Sequence, residues 1–186
     1  GEYYGLVAGP WGWQVFSARS AAKLGGQTAF DDPANWIEFG PGGVFAVGYR
    51  SGALAFHQID ETGALRRLAR LRGQAVGEVA SVAFSPDGRE LAIGYYDRAF
   101  VDILDLGTLE RARRLRGPTE TAGNLAFVAW SPSEREPNGL LYAGGTAAVR
   151  GGEATAIVAW RDGTGRGAAV EAGRDSVTHL AATAGG

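Results

Sequence analysis

The sequence is poor in several residue types, and each shortage limits the kind of site it can build. Its 186 residues contain no cysteine, which excludes disulfides, thiolate metal sites and cysteine nucleophiles. Only two histidines occur, so a His-rich metal or catalytic cluster is not expected. With 18 basic against 20 acidic residues, the chain lacks the broad basic field that binds nucleic acid. No apolar run approaches the length of a transmembrane helix. We therefore expect neither nucleic acid nor a membrane among its partners.

The first residues of the sequence do not resemble a signal peptide. Methionine is absent throughout, and Gly1-Glu2-Tyr3-Tyr4 lacks the basic and apolar regions of a signal peptide. We interpret the chain as a processed or excised segment of a longer protein. Its compartment is therefore open, with the cytoplasm favoured. Lys23 is the only lysine among the basic residues, and this composition, with 30 glycines, suggests a bacterial source.

A repeat organises the chain. Hydrophobic residues make up 45 % of the sequence, and the glycines divide it into short apolar runs, as in strands joined by tight turns. EVASVAFSPDG at 78–88 is matched by PANWIEFGPGG at 33–43, NLAFVAWSPSE at 124–134 and SVTHLAATAGG at 176–186. The period is about 45 residues, which is typical of propeller blades.

Each repeat unit predicts four short strands. In the unit 78–117 they are Val79–Phe84, Glu90–Tyr95, Ala99–Leu106 and Leu109–Leu115, with Ser85-Pro86-Asp87-Gly88 as the first turn. The predicted fold class is all-β, a β-propeller of four-stranded antiparallel blades. We expect about four blades, three complete and two partial, from a larger ring. The expected divisions are a partial blade 1–30, the blades 33–73, 78–117 and 124–173, and the start of another blade at 176–186.

These residues resemble the WD40-repeat family. Val79–Asp97, VASVAFSPDGRELAIGYYD, closely follows the stretch that is typical of its blades. The Trp-Asp pair that closes strand three in that family is reduced to Leu104-Asp105 and Trp160-Arg161, and the preceding Gly-His pair is replaced by Gly73-Gln74 and Gly117-Pro118. The resemblance implies the blade fold, held by apolar packing without the family's His–Asp–Ser–Trp network.

The resemblance also implies a rigid platform for protein binding, with the turns between strands two and three on one face. Aromatic residues next to arginine are typical of interface hot spots. The alternative is that Asp97 only caps its own turn and the tyrosines pack between blades. The candidate protein-binding residues are Tyr49, Arg50, Tyr95, Tyr96, Asp97, Arg98 and Trp11.

Two arginine-rich runs, 66–72 and 111–116, fall on the predicted fourth strand of their units. Arginines on an exposed edge strand block edge-to-edge association, and we favour this over nucleic-acid binding because no aromatic residues are interleaved. An amphipathic helix is the other alternative, since Leu65, Leu68 and Leu71 are spaced by three. The five tryptophans could form a carbohydrate platform, but the positions of Trp36, Trp130 and Trp160 in the repeat favour core packing. Trp11 and Trp13 flank Gly12 near an expected turn, and of the two Trp11 is expected to be exposed.

Two irregular loops, Ser133–Asn138 and Val149–Glu153, interrupt the third unit. They are either specificity loops or tolerated insertions. The pair Asp31-Asp32 lacks the D-x-D-x-D spacing of a calcium loop, and a solvated turn is expected there.

Catalysis remains an alternative of a different class. Some propellers are hydrolases or lactonases with a metal in the central channel, and Asn35, Glu38 and His179 are the nearest candidate ligands here. We favour a non-catalytic scaffold that needs no cofactor, catalytic residue or metal. Its expected partner is another protein or a fused effector or signalling domain.

Overall fold

The computed structural model describes residues 2–28, 31–72, 77–117, 123–136, 138–149, 154–161 and 167–182. These residues form four antiparallel sheets, which we call A to D in chain order. The chain divides into two compact units, Gly1–Val79 and Ala80–Gly186. Within the described residues, no helix is both long and apolar enough to cross a membrane.

Unit 1 contains sheets A and B, and each strand pairs with the strand next to it in sequence. Its core lies between the two sheets, where Trp13 and Val15 of sheet A meet Phe45, Val47 and Tyr49 of sheet B. Burying large apolar side chains of this kind is the main force holding the two sheets together. Sheet A consists of β1 (Tyr3–Val7), β2 (Trp13–Ser17) and β3 (Lys23–Gln27), and sheet B of β4 (Ala34–Phe39), β5 (Val44–Tyr49), β6 (Leu54–Ile59) and β7 (Leu65–Leu71).

Unit 2 repeats this plan with two four-stranded sheets. Val101 and Ile103 of sheet C pack with Val128, Val158 and Trp160 of sheet D in a second core. Sheet C consists of β8 (Val79–Phe84, beginning at the unit boundary), β9 (Glu90–Tyr95), β10 (Phe100–Asp105) and β11 (Glu110–Arg116); sheet D consists of β12 (Phe127–Ser131), β13 (Leu140–Val149), β14 (Ala154–Arg161) and β15 (Ala168–Gly173).

The predicted fold class is confirmed: the sheets are antiparallel blades of a β-propeller, three with four strands and one with three. In sheet C the first two strands have the predicted bounds, and the other two begin one residue later. The helix alternative for 65–71 is wrong, because these residues form β7. Residues 150–153 of the second irregular loop and Pro137 of the first lie outside the described residues.

A glycine on the second strand lets the next segment approach closely. Gly48, Gly94 and Gly144 occupy this position in sheets B, C and D. A Cβ on Gly94 would lie 2.2 Å from the carbonyl oxygen of Ala126, and one on Gly48 would lie 2.5 Å from Val79 Cγ1. The glycine is therefore required by contact between neighbouring repeats, since the strands themselves would tolerate a side chain.

Replacing Gly94 with alanine should lower the free energy of unfolding by about 2 kcal/mol, because the methyl group can fit only if backbone moves. Gly107 provides the matched control. A Cβ there would meet only Asp105 Oδ1, at 3.3 Å, on an exposed turn. Urea unfolding of both variants measures the difference. Equal stability of Gly94→Ala and Gly107→Ala would contradict the close approach.

The outermost strand of every sheet carries a one-residue register shift. The ladders skip Leu24 in β3, Leu68 in β7, Ala112 in β11 and Ala172 in β15. Bulges twist an edge strand and interrupt its row of hydrogen-bonding groups, which discourages pairing with other chains. The arginines of β7 and β11 lie on these edge strands, as the sequence predicted.

Ala21 stands in a left-handed conformation, φ 55°, in the turn between β2 and β3. This conformation costs an L-residue about 1 kcal/mol, a cost that glycine avoids because it has no Cβ. Ala21→Gly should therefore raise the free energy of unfolding by up to about 1 kcal/mol. Its neighbour Ala22 is equally exposed and has no positive φ, so Ala22→Gly should destabilise instead. Thermal unfolding of the two variants tests whether the signs are opposite.

Candidate functional site: the turn surfaces

The turn at residues 8–12, between β1 and β2, holds Trp11 at the surface in a fixed position. Its side chain is 69 % exposed. The backbone N–H of Ala8 donates to Gly12 at 2.9 Å, and that of Trp11 donates to Ala8 at 3.1 Å. A Cβ on Gly12 would collide with the carbonyl oxygen of Gln27, so this turn packs directly on the end of β3. Trp11 is thus an exposed aromatic on a rigid support, as the sequence predicted.

The turn after β5 presents Arg50 and is equally well anchored. The Arg50 side chain is 67 % exposed, with Nε 3.7 Å from Glu78 Oε1. Its backbone N–H donates to Pro33 at 2.9 Å. The Ser51 N–H and hydroxyl donate to the two carboxylate oxygens of Asp32, at 3.0 and 2.7 Å. These hydrogen bonds hold the turn in one conformation in the unbound protein.

Asp32 also accepts a hydrogen bond from Arg70 Nη2 at 3.1 Å, and both side chains are about four-fifths buried. The expectation of a solvated turn at Asp31-Asp32 is therefore wrong for Asp32. Its carboxylate accepts hydrogen bonds from the turn after β5 and from Arg70 of β7, and it thereby holds these two segments together.

The structure brings these two turns to the same end of unit 1. Gly9 forms a β-bridge with Ala34 at the start of β4, and Pro33 accepts the bond from Arg50. We call the group Trp11, Asp32, Arg50, Ser51 and Glu78 turn surface 1.

Tyr49 and Tyr95 are not at the surface, contrary to their prediction as binding residues. Both side chains are fully buried. The Tyr49 hydroxyl accepts a hydrogen bond from Trp13 Nε1 at 3.1 Å, and burial raises the pKa of Tyr49. The Tyr95 hydroxyl donates to Asp102 Oδ2 at 3.0 Å. The alternative that the tyrosines serve packing therefore describes both residues.

In unit 2 the residues that follow Tyr95 are exposed. The Tyr96 ring meets Phe127 edge to face, with centroids 6.2 Å apart. Its carbonyl oxygen accepts a bond from Asn124 Nδ2 at 2.7 Å. Asp97 Oδ2 lies 2.9 Å from Arg98 Nη1, and both side chains are partly exposed. We call Tyr96, Asp97, Arg98, Asn124 and Phe127 turn surface 2.

The interpretation of the outer arginines as pure edge protection is incomplete. Arg114 of β11 binds Asp102 of β10, whose carboxylate is buried. Arg113 binds Glu90 of β9. The sequence offered a signal for this network, since Asp102 is an acidic residue between Val101 and Ile103 in a strand. Ion pairs between buried or half-buried side chains thus connect β9, β10 and β11 of sheet C.

The tryptophans mostly belong to the cores, as predicted. Trp130 and Trp160 are buried between sheets C and D. Trp36 is only half-buried, and its Nε1 donates to Glu38 at 3.2 Å. A carbohydrate platform of these three rings finds no support in this placement.

The candidate channel ligands make separate contacts. Asn35 Nδ2 donates to Glu78 Oε1 at 3.2 Å and to the Val79 carbonyl at 2.9 Å. Glu38 interacts instead with Trp36, and burial raises its pKa. In the part of the chain that the structure describes, no three His, Asp or Glu side chains are arranged to hold a metal ion.

Comparisons with known proteins show likeness in structure. No protein-family model and no curated protein sequence matches the chain. A chain of the crystal structure of a mitotic checkpoint complex matches with a TM-score of 0.72 and 25 % identity, over 96 % of this chain and 50 % of that one. A chain of hydrazine synthase from Kuenenia stuttgartiensis matches with a TM-score of 0.68 and 16 % identity, over 90 % and 45 % of the two chains. The chain spans about half the length of these relatives, and the likeness to the second concerns the fold alone.

Proposed function

We propose that this chain is a non-catalytic scaffold of the WD40-like kind, which binds a protein partner or a fused domain through its turn surfaces. The observation that carries the proposal is turn surface 1, where the exposed Trp11 and Arg50 are held on two hydrogen-bonded turns at one end of unit 1. Tryptophan and arginine are enriched among residues that dominate binding energy. A fixed turn also avoids the entropy cost of ordering a loop on binding.

Turn surface 2 offers the same combination of an aromatic residue and an arginine. Tyr96 is supported by Phe127, and Arg98 by Asp97. The match to a chain from a multi-protein complex also fits a role in assembly. Arg50 and Ser51 of turn surface 1, and 96–98 of turn surface 2, lie in turns between strands two and three of their sheets, the loops that the sequence singled out.

Site-specific photocrosslinking in cells tests the proposal. A photoreactive residue at position 11 should capture a defined protein, and Arg50→Glu in the same chain should reduce that capture at least tenfold. The same photoreactive residue at Leu68, an exposed position on the bulged edge of β7, is the matched control. Capture that is equal from positions 11 and 68, or unaffected by Arg50→Glu, would refute binding through turn surface 1.

A further inference from the structure

His57 occupies a core position that two other sheets fill with an apolar side chain. The position is the third-strand residue paired with the one three places before the second-strand glycine. It is Leu104 in sheet C and Trp160 in sheet D, and both are buried. In sheet B it is His57, opposite Phe45. The blade fold therefore does not require an ionisable group here.

The imidazole of His57 is enclosed by groups that disfavour its charged form. It is buried between the Phe45 ring, on which it stacks, and the Trp13 ring of sheet A, whose centroid lies 4.6 Å away. Arg67 pairs with His57 from β7 and adds a like charge to the cost of burial. A proton on this imidazole needs water at the ring nitrogens, so the Trp13 ring that lies against it has to move.

Trp13 is also the ring that joins the two turns of turn surface 1. It directly follows the turn 8–12, and Tyr49 directly precedes Arg50. Trp13 Nε1 donates a hydrogen bond to the Tyr49 hydroxyl at 3.1 Å. A displacement of Trp13 away from His57 therefore breaks a bond between the residues that flank the two turns.

A second set of contacts continues from Tyr49 into the turn after β5. The Arg70 guanidinium carbon lies 4.9 Å from the centroid of the Tyr49 ring. Arg70 binds the Asp32 carboxylate, which accepts the hydrogen bonds of Ser51. Of the strands that pack on His57, β7 thus brings two arginines, β5 brings Tyr49, and β2 contains no titratable residue. Coupling between buried groups follows contiguous contacts of this kind.

We propose that protonation of His57 opens the contact between Trp13 and Tyr49 and loosens the two turns, which makes turn surface 1 sensitive to acid. The regulatory meaning rests on the proposed function, since turn surface 1 is the binding site named there. The closed arrangement excludes the proton and the open one accepts it, so acid shifts the population towards the open arrangement. A partner that needs the closed turns then binds in proportion to the closed fraction.

Hydrogen exchange followed by NMR tests the opening without a partner. The groups to follow are the indole N–H of Trp13 and the backbone N–H groups of Trp11 and Arg50, which all donate hydrogen bonds. The pKa of His57 is lowered from 6.5 to about 4 in the closed arrangement. Protection at the three groups, corrected for intrinsic exchange, should therefore fall about thirtyfold from pH 8 to pH 5.

His57→Phe keeps an aromatic ring and removes the proton site, so its protection should be the same at both pH values. The backbone N–H of Leu125, hydrogen-bonded in unit 2, is the internal control and should keep its protection in both proteins. His57→Leu, with the residue type that sheet C has at this position, replaces His57→Phe if that variant unfolds.

Urea distinguishes the local opening from unfolding of unit 1. A local opening exposes little surface, so exchange of the three groups at pH 5 should not accelerate in low urea. Exchange that accelerates steeply with urea would overturn the proposal. So would protection that stays constant from pH 8 to pH 5, or that falls equally in His57→Phe.

Photocrosslinking from position 11 at the two pH values connects the opening to binding. Capture should fall at pH 5 by the loss of closed fraction that exchange measures, and it should not fall in His57→Phe. Absence of capture even at pH 8 would refute the proposed function and leave the exchange result standing. Capture at pH 8 together with protection that is independent of pH would refute only the acid sensitivity.

Discussion

Arg114→Met should lower the free energy of unfolding by about 3 kcal/mol, because it removes both arginine hydrogen bonds from a buried carboxylate. The carboxylate belongs to Asp102, whose side chain is 1 % exposed. Arg114 lies directly opposite on β11 and binds both oxygens, with Nε 2.7 Å from Oδ1 and Nη2 2.9 Å from Oδ2. The contacts that remain, a bond from the Tyr95 hydroxyl and the Arg111 guanidinium with Nη1 3.9 Å from Oδ2, do not replace the two charge-assisted hydrogen bonds of Arg114. Urea unfolding followed by circular dichroism measures the loss.

Methionine is chosen because it keeps the packing of the arginine stem. The guanidinium carbon of Arg114 lies 3.7 Å from the centroid of the Phe100 ring, and a thioether can occupy the same place. The loss should therefore report the charge. Arg89→Met is the control, since Arg89 is exposed on a turn and lies 3.9 Å from Asp87; its effect should stay within about 0.5 kcal/mol.

The double variant Asp102→Leu/Arg114→Met separates two explanations. If the penalty comes from the buried charge that has lost its hydrogen bonds to Arg114, removing the charge as well should recover most of the lost stability. A double variant no more stable than Arg114→Met would contradict that explanation and point to lost packing.

The repeat made most of the fold predictable. Alternating apolar residues and a Ser-Pro-Asp-Gly turn specify a hairpin from local chemistry, so β8 and β9 have their predicted bounds. The sequence also shows a glycine in each second strand, but it does not show why a glycine is needed there. Gly94 is needed because the Ala126 backbone approaches it from the next repeat, and no local rule reports that distance.

The buried ion pair of Asp102 and Arg114 depends on the register between β10 and β11. Counting back from the turn, where Asp105 pairs with Glu110, would place Asp102 opposite Arg113. The register shift after Ile103 moves the pairing by one residue and places Asp102 opposite Arg114. A bulge is a tertiary adjustment of an edge strand, and the sequence marks it only weakly. The identity of the partner arginine was therefore not predictable.

Two of the seven candidate binding residues were predicted in a turn but belong to a strand. Tyr49 and Tyr95 are the last residues of β5 and β9, and each points into packed protein, whereas Arg50 and Tyr96 begin the turns. A shift of one residue reverses the face of a strand, so a tyrosine at this boundary could be read either way from sequence. In the structure, the hydroxyl of Tyr49 bonds with Trp13 and that of Tyr95 with Asp102, so both side chains point into the protein.

The chain should lose about 3 kcal/mol of stability between pH 6.5 and pH 4 through a single residue, His57. Its imidazole is buried on β6, stacked on Phe45 with centroids 5.1 Å apart and meeting Trp13 edge-on at 4.6 Å. Within the described residues its Nε2 has no hydrogen-bond partner, and Arg67 lies opposite on β7. Burial, and then the Arg67 charge, lower the pKa of His57 from 6.5 to about 4.

The sign follows from proton uptake. Between these two pKa values the unfolded chain binds a proton at His57 and the folded chain does not, so acid favours unfolding. The contribution of His57 is complete above pH 6.5 and is lost as the pH falls to about 4. His57→Phe keeps an aromatic ring in the Trp13–Phe45 cluster and removes the proton site. Because the carboxylates titrate equally in both proteins, the difference between their unfolding free energies across this range isolates the histidine.

His179→Gln, at an exposed position, should leave the pH dependence of the unmodified chain in place. An NMR titration of His57 with a midpoint near 6.5, or a pH dependence unchanged in His57→Phe, would show that its imidazole is hydrated in the folded protein and that the aromatic cluster around it opens to water.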